Sequence, residues 1–184
     1  MNDTLGPALL VRARNAIAAE LGLATEPEPA SEGLTTPGAV FVTLTQRGEL
    51  RGCIGSLQAF RPLDADVRAN AKAAAFHDPR FPPLTAAELP GTRVEVSLLT
   101  PATPMRFASE EDAISQLRPG LDGVILECGS HRGTFLPQVW DSLPERHLFL
   151  NHLKRKAGLA PDYWAPGIQL SRYEVRKWKE AEKS

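Results

Sequence analysis

Cysteine is scarce in this sequence: only Cys53 and Cys128 among its 184 residues are cysteine, too few for a framework of disulfide bonds. We therefore expect free thiols and a cytoplasmic location. Neither charge is in excess, because the formal net charge is −1, and this excludes a general electrostatic attraction to nucleic acid or to an anionic membrane. No apolar run approaches the length of a membrane span. The first residues also lack the basic and apolar regions of a signal peptide.

Motifs that hold metals or nucleotides are also missing. The sequence contains no C-x-x-C or H-E-x-x-H pattern, and Cys128 is distant in sequence from Cys53. It contains neither a G-x-G-x-x-G pattern nor a Walker phosphate-binding loop. We therefore predict no metal site and no cofactor. Basic residues cluster at Lys154–Lys156 and again near the C-terminus, but a solvated helix face and a charged edge strand explain them, so we do not expect a nucleic acid partner.

The hydrophobic pattern indicates an α+β protein. Helical spacing or helix-capping patterns mark four segments as helices, at about 6–21, 64–75, 109–117 and 142–157. Alternating or β-branched segments predict strands over 39–46, 49–57, 92–99, 123–127, 132–136 and 168–179. The dipeptide Arg47-Gly48 predicts a tight turn, so the first two strands form a hairpin. Because helices and strands do not alternate strictly, we predict a mainly antiparallel sheet with flanking helices.

One segment of the second predicted strand, Leu50–Gly55, carries the most unusual pattern. It flanks Cys53 with Gly52 and Gly55 and places Arg51 two residues before the thiol. Side chains alternate between the faces of a strand, so we expect Arg51 and Cys53 to point the same way. A guanidinium close to a thiol favours the reactive thiolate. The alternative is that Cys53 is a small buried side chain in a strand, which is the usual place of a free cysteine.

The segment Leu50–Gly55 resembles the signature of the AMME-candidate-region protein family, whose bacterial and archaeal members are called AmmeMemoRadiSam system protein A. The resemblance extends from about Ala39 to Trp178 and follows the family's order. Its other segments are Phe41–Leu44, Asp78–Phe81, Glu95–Leu99, Arg132–Val139, Lys156–Leu159 and Tyr173–Val175.

This resemblance implies a fold and partners more than an activity. Family members are α+β proteins with a larger and a smaller lobe, and their motif residues lie near the cleft between the lobes. We accordingly expect one family domain in which residues 1–100 and 160–184 form the larger lobe and residues 101–159 the smaller one. The system name implies association with a Memo-like protein and with a radical SAM protein.

The candidate catalytic residues are Cys53, Arg51 and Glu95. Cys53 is the candidate nucleophile or thiol carrier, and Arg51 is its candidate electrostatic partner. Glu95 lies in a family block and shares a strand face with Ser97. Because an isolated buried carboxylate is unfavourable, we expect Glu95 to be paired or to serve as an acid, a base or an orienting group. None of the four histidines is assigned as a general base.

Six residues are candidates for binding a small-molecule or peptide-borne substrate. Backbone amides near two of them, the glycines, would donate to a developing oxyanion if a bulge frees them from the sheet. For the Asp–Arg pair among them, the alternative is an ion pair that fixes the proline-rich loop. The six residues are Gly52, Gly55, Asp78, Arg80, Arg132 and Gln138.

Two main functions remain open from the sequence, and a nucleic-acid-linked regulator is a weaker third. The first is a cysteine-dependent enzyme that uses Cys53 in a cleft between the lobes. The second is a non-catalytic component that docks onto a Memo-like or radical SAM protein, with the glycine-flanked motif serving as a packing or docking surface. The absence of an assigned base favours the second function, and the cysteine near a cleft favours the first.

Overall fold

The computed structural model describes residues 3–182, and it divides the chain into two compact units. The first unit contains the residues up to Leu99 and those from Arg176 onwards, and the second contains Thr100–Val175. Each unit has its own four-stranded sheet, and the protein is an α+β protein as predicted. Within residues 3–182, no helix combines the length and the apolar character needed to cross a bilayer.

The first unit packs two helices on one face of its sheet. Its strand order is β2-β1-β3-β8, and its core contains apolar side chains from both helices and from β1 and β3. Helix α1 forms because its apolar positions recur every three to four residues, and α2 begins directly after Pro62, whose ring fixes a backbone angle that suits a helix start. The elements are α1 (Leu5–Glu20), β1 (Ala39–Gln46), β2 (Glu49–Gly55), α2 (Leu63–Phe76), β3 (Arg93–Leu99) and β8 (Val175–Lys179).

A β-bulge interrupts the hairpin of the first unit. The turn at Arg47 and Gly48 has positive φ angles of 53° and 80°, as a two-residue hairpin turn of this kind requires. Near the turn Thr45 is opposite Leu50, but the next pair is Leu44 opposite Gly52. Arg51 is therefore the extra residue in β2, and the alternation of side chains shifts by one position beyond it.

The second unit packs two helices against a sheet with the order β4-β7-β5-β6. Trp140 stacks on Phe149 with ring centroids 3.7 Å apart, and its Nε1 donates to the carbonyl of Asp122 at 2.8 Å. This pair anchors α4 to the core. The elements are β4 (Thr103–Pro104), α3 (Glu110–Gln116), β5 (Gly123–Cys128), β6 (His131–Phe135), α4 (Arg146–Lys156) and β7 (Gln169–Tyr173).

Two local predictions from the sequence were wrong. The segment 168–179 is two strands rather than one, and β7 pairs with β5 in the second unit, whereas residues 160–184 were expected with the larger lobe. Helix α4 begins at Arg146 with Glu145 as its capping residue, not at Ser142. The Glu145 carboxylate accepts from the amides of His147 and Leu148, so a charged side chain replaces the predicted serine cap. The cleft between two lobes stays a prediction.

Candidate functional site

Cys53 lies near the middle of β2, and its thiol is on the sheet face that the helices do not cover. The bulge places Cys53 opposite Thr43, and the thiol sulfur is 3.2 Å from the Thr43 hydroxyl. Thr43 in turn is opposite Glu95 on β3. The flanking residues Val42 and Val96 point to the other face and are buried in the core. Cys53, Thr43 and Glu95 therefore form one row across three strands, which we call the thiol row.

Glu95 ends the thiol row beside two lysines of β8. Its carboxylate lies 3.6 Å from the Nζ of Lys177 and 3.7 Å from the Nζ of Lys179, and its side chain is 14% exposed. The mostly buried carboxylate is thus paired, which meets the expectation that an isolated one would be unfavourable. Because Thr43 lies between them, Glu95 and Cys53 are separated by two strand spacings, roughly 10 Å. Glu95 is too distant to accept a proton from the thiol directly.

Asp78 holds the backbone of Cys53 at the outer edge of the sheet. Its buried carboxylate accepts a hydrogen bond from the Cys53 amide at 3.0 Å. The same carboxylate binds the guanidinium of Arg80 through Nε at 3.0 Å and Nη2 at 2.7 Å. The Arg80 side chain, hydrogen-bonded to Asp78, and the Cys53 and Arg80 amides lower the pKa of this carboxyl well below its usual range. The loop after α2 is therefore joined to β2 by the Cys53–Asp78 hydrogen bond, while the Asp78–Arg80 ion pair lies within the loop. The Cys53 amide is not available as an oxyanion donor.

The Arg51 side chain is bound to the loop that follows α2. It is 8% exposed, and its Nη2 donates to the carbonyl of Pro82 and to the carboxylate of Glu88, both at 2.9 Å. The expected shared face of Arg51 and Cys53 is lost because Arg51 is the bulge residue. The positive charge that acts on the thiol belongs to Arg80 instead.

The two glycines of the motif are required by close packing. A Cβ atom at Gly52 would lie 2.1 Å from the carbonyl oxygen of Ala74 in α2. A Cβ atom at Gly55 would lie 2.2 Å from the ring of Phe41. Gly52 therefore lets α2 approach the sheet, and Gly55 lets an aromatic ring cover the end of β2. These contacts explain both glycines without any ligand.

The environment of Cys53 favours the neutral thiol. Burial raises its pKa, and this effect is larger than the opposing effects of the Thr43 hydrogen bond and the Arg80 charge. The carboxylates of Asp78 and Glu95 raise the pKa further. A nucleophilic cysteine normally has a lowered pKa, so the site is not tuned for a thiolate at neutral pH.

The remaining candidates are His77 in the first unit and Arg132 and Gln138 in the second. His77, the one histidine of the first unit, is exposed at the end of α2. Arg132 and Gln138 belong to the second unit, where both are exposed and Arg132 pairs with Glu127 at 3.4 Å. In the part of the chain that the structure describes, no group of three or more His, Cys, Asp or Glu residues is placed to hold a metal ion.

The sequence pattern did not indicate that the Thr43 hydroxyl and the Arg80 charge act on the Cys53 thiol. Counting pairs outward from the Arg47-Gly48 turn places Thr43 opposite Gly52 and Cys53 opposite Val42. The bulge changes both pairs. A signal for it was present, since a glycine inside an apolar strand is typical of a bulge or of a close backbone approach.

Comparisons with known proteins identify relatives across almost the whole chain. A family model described as AMMECR1 matches residues 10–178. A protein of Methanothermobacter thermautotrophicus is 44% identical over 148 residues, which cover 77% of this chain and 74% of the relative. A protein of Methanopyrus kandleri is 36% identical over 189 residues and covers 96% of this chain and 89% of its own length.

A solved structure shows the same fold. The crystal structure of an uncharacterized protein from Pyrococcus horikoshii matches with a TM-score of 0.85 and 34% sequence identity. The match covers 98% of this chain and 93% of that chain.

Proposed function

The chain belongs to the AMMECR1 family, and from this premise we propose that it is a non-catalytic component that docks onto a partner protein. The observation that carries the proposal is the packing of Gly52 against the Ala74 carbonyl. It gives the most distinctive part of the motif a role in joining β2 to α2. Arg51, Gly55 and the Cys53 amide are likewise used within the unit, which leaves a thiol whose hydrogen-bond partner is the Thr43 hydroxyl rather than a base.

The loop after the motif supplies a docking anchor. Phe60 is 69% exposed, an unusual position for an aromatic side chain of this size. The Arg61 guanidinium lies 4.8 Å from the centre of its ring. Arg61 also donates to the fully buried carboxylate of Asp66 at 2.7 Å. An exposed aromatic ring beside an arginine held by a buried partner is a combination that often carries binding energy at protein interfaces.

The buried Asp66 network keeps this loop in place. The carboxylate accepts from the Val40 amide at 2.9 Å and from the Ser56 hydroxyl at 2.7 Å, and Asn70 donates to it at 3.1 Å. Such a fully satisfied network is rigid, so Phe60 is presented with a small loss of conformational entropy on binding. By the family resemblance, the partner is a Memo-like or radical SAM protein. We infer that the protein binds its partner in the cytoplasm, where both free thiols stay reduced.

The test compares a docking variant with a matched surface variant. Phe60→Ala should weaken binding to the Memo-like or radical SAM protein of the same organism by about tenfold or more, because interface aromatics are frequent hot spots. Leu148→Ala, in the second unit and 49% exposed, is the matched control and should bind normally. Calorimetric titration measures the three affinities. Equal binding by the Phe60 variant and the control contradicts the proposed anchor.

A second function is favoured by the thiol row. Its half-buried thiol, hydroxyl and carboxylate lie on one face, as a cysteine-dependent enzyme would require. In this alternative Cys53 attacks a substrate, Glu95 orients it, and Arg80 replaces Arg51 as the cation near the thiol. Cys53→Ser separates the two functions. Normal folding and partner binding with loss of the pathway product would support chemistry, whereas unchanged product formation would support docking.

A further inference from the structure

A cavity of about 410 Å³ lies at one end of the sheet in the first unit, away from the thiol row. Its lining comes from the hairpin turn, the segment before β3, helix α1 and the segment after β8. Three arginines, Arg14, Arg47 and Arg93, contribute to this lining, which we call the arginine cavity. Two glutamates, Glu180 and Glu182, enter it from the segment after β8.

Arg14 and Glu180 form an ion pair. The Arg14 guanidinium binds both oxygens of Glu180, at 2.6 and 2.7 Å, and donates to two backbone carbonyls. Glu180 also accepts from the Val94 amide at 2.8 Å. The charges of Arg14 and Glu180 therefore neutralise each other. The charges of Arg47, Arg93 and Glu182 then determine which ligands the cavity attracts.

Arg47 is a free cation in an unfavourable backbone conformation. Among residues 3–182 it is the one non-glycine residue with a positive φ, at 53°. Asparagine, aspartate or glycine would adopt this conformation more easily. Its side chain is exposed, and no described residue forms an ion pair with it. A strained position is often kept for the function of its side chain, and here that side chain is an unpaired guanidinium at a cavity.

Arg93 forms a weak ion pair with Glu182. Its Nη1 lies 3.6 Å from Glu182, whose side chain is 86% exposed. Exposed ion pairs of this kind contribute little to stability, so the Glu182 carboxylate is readily displaced. The Arg93 Nε stays bound to the Glu180 carbonyl, and the Glu180 carboxylate is bound by Arg14. When Glu182 leaves, the Nη groups of Arg93 and the Arg47 guanidinium are therefore available at the cavity.

We propose that the arginine cavity binds a phosphate monoester, with Glu182 as a displaceable internal occupant. Arg47 and Arg93 together match the two negative charges of a phosphate monoester near neutral pH. The cavity is larger than a phosphate group, and Pro90 and Ala181 in its lining provide apolar contact for the organic part of the ligand. This site lies outside the thiol row and does not depend on the docking function.

The experiment titrates the full chain with phenyl phosphate and, separately, with inorganic phosphate at constant ionic strength. Binding is followed through the amide resonances of Gly48 and Gly91, which line the cavity. Saturable shifts are expected with both probes, and the phenyl ester should bind more tightly because of its apolar part. If inorganic phosphate binds as tightly as the ester, the proposed ester specificity is wrong, and absence of saturable shifts with both overturns the site.

Matched variants test the roles of the three side chains. Arg47→Ala should weaken phenyl phosphate binding about three- to tenfold, since it removes a charge-assisted contact. Glu182→Gln should strengthen binding about two- to fivefold, because the internal competitor loses its charge. Arg106→Ala removes an exposed arginine of the second unit and should change nothing. Unchanged affinity in the Arg47 variant, or weaker binding in the Glu182 variant, contradicts the proposal.

Discussion

The Asp78 carboxylate accepts a hydrogen bond from the Cys53 amide, with 3.0 Å between Oδ2 and N. This contact joins the loop after α2 to the edge strand of the sheet. It also occupies a backbone donor that a thiol enzyme would need for an oxyanion. The motif and the Asp78–Phe81 segment, both found in the sequence, are thus parts of one structural unit.

Asp78→Asn should lower the free energy of unfolding by about 1.5–3 kcal/mol near neutral pH, because a charged acceptor with several donors is lost. The pKa of Asp78 is lowered on folding, mainly by Arg80, so the stabilisation is complete above the unfolded pKa, about 4. It is lost progressively as the pH falls below that value. Urea unfolding at a series of pH values measures the effect.

The difference in stability between wild type and Asp78→Asn should therefore shrink under acidic conditions. Asp141→Asn changes an exposed aspartate and serves as the control, with little effect at any pH. A constant difference between wild type and the Asp78 variant at all pH values would show that the Asp78 charge has no special role.

Gly52→Ala should destabilise the protein by about 1–3 kcal/mol or more, since the new methyl group would overlap the Ala74 carbonyl. Gly91→Ala is the matched control. A Cβ atom there meets nothing within 4 Å, and the residue has no positive φ, so a change within about 0.5 kcal/mol is expected. Chemical denaturation compares the two variants, and equal stability would contradict the packing role of Gly52.

The Cys53 thiol should alkylate slowly near neutral pH and react faster only above the usual thiol pKa of about 8.5, because burial raises its pKa. In a Cys128→Ser background, Arg80→Gln should raise the pKa further by removing the nearby positive charge. Thr43→Val should act in the same direction by removing the hydrogen bond. The pH dependence of the alkylation rate measures all three proteins.

A lowered pKa in the parent protein would contradict the neutral-thiol prediction and favour the enzyme. An unchanged thiol pKa on replacing Arg80 would show that the Arg80 charge does not act on the thiol.

Glu110→Ala should destabilise the second unit more than Lys154→Met does. Lys154 is fully buried and forms an ion pair with Glu110, and its Nζ also donates to the Pro161 carbonyl at 3.1 Å. Removal of Glu110 leaves a buried charge without its partner, at a cost of about 2–3 kcal/mol, whereas methionine removes the charge itself. Thermal unfolding measures both variants.

Glu111→Ala tests whether the loss arises from the ion pair or from the helix dipole. Glu111 shares the first turn of α3, and its ion pair is with an exposed histidine, His147. Its replacement should cost at most about 1 kcal/mol. Equal losses for Glu110 and Glu111 would assign the effect to the helix terminus.

Local sequence patterns predicted most of the elements because they depend on neighbours along the chain. The spacing of Leu9, Ala13 and Ile17 gave the first helix, and Ser109 caps α3 as its capping pattern predicted. The same reasoning failed at Ser142, where a charged residue three positions later takes the capping role. It also failed at Glu174, where the chain leaves one sheet and enters another although the sequence remains strand-like throughout.

The sequence by itself determined the hairpin, its Arg47-Gly48 turn and the presence of a small-residue motif around Cys53. Only the tertiary structure decided which face of the sheet carries the thiol. Because strand side chains alternate with a period of two, one extra residue at Arg51 reverses every position beyond it. The close approach of Ala74 requires Gly52 to face α2, so Cys53 faces Thr43 and Glu95 instead of the core. That choice depends on packing between elements distant in sequence, which no local pattern contains.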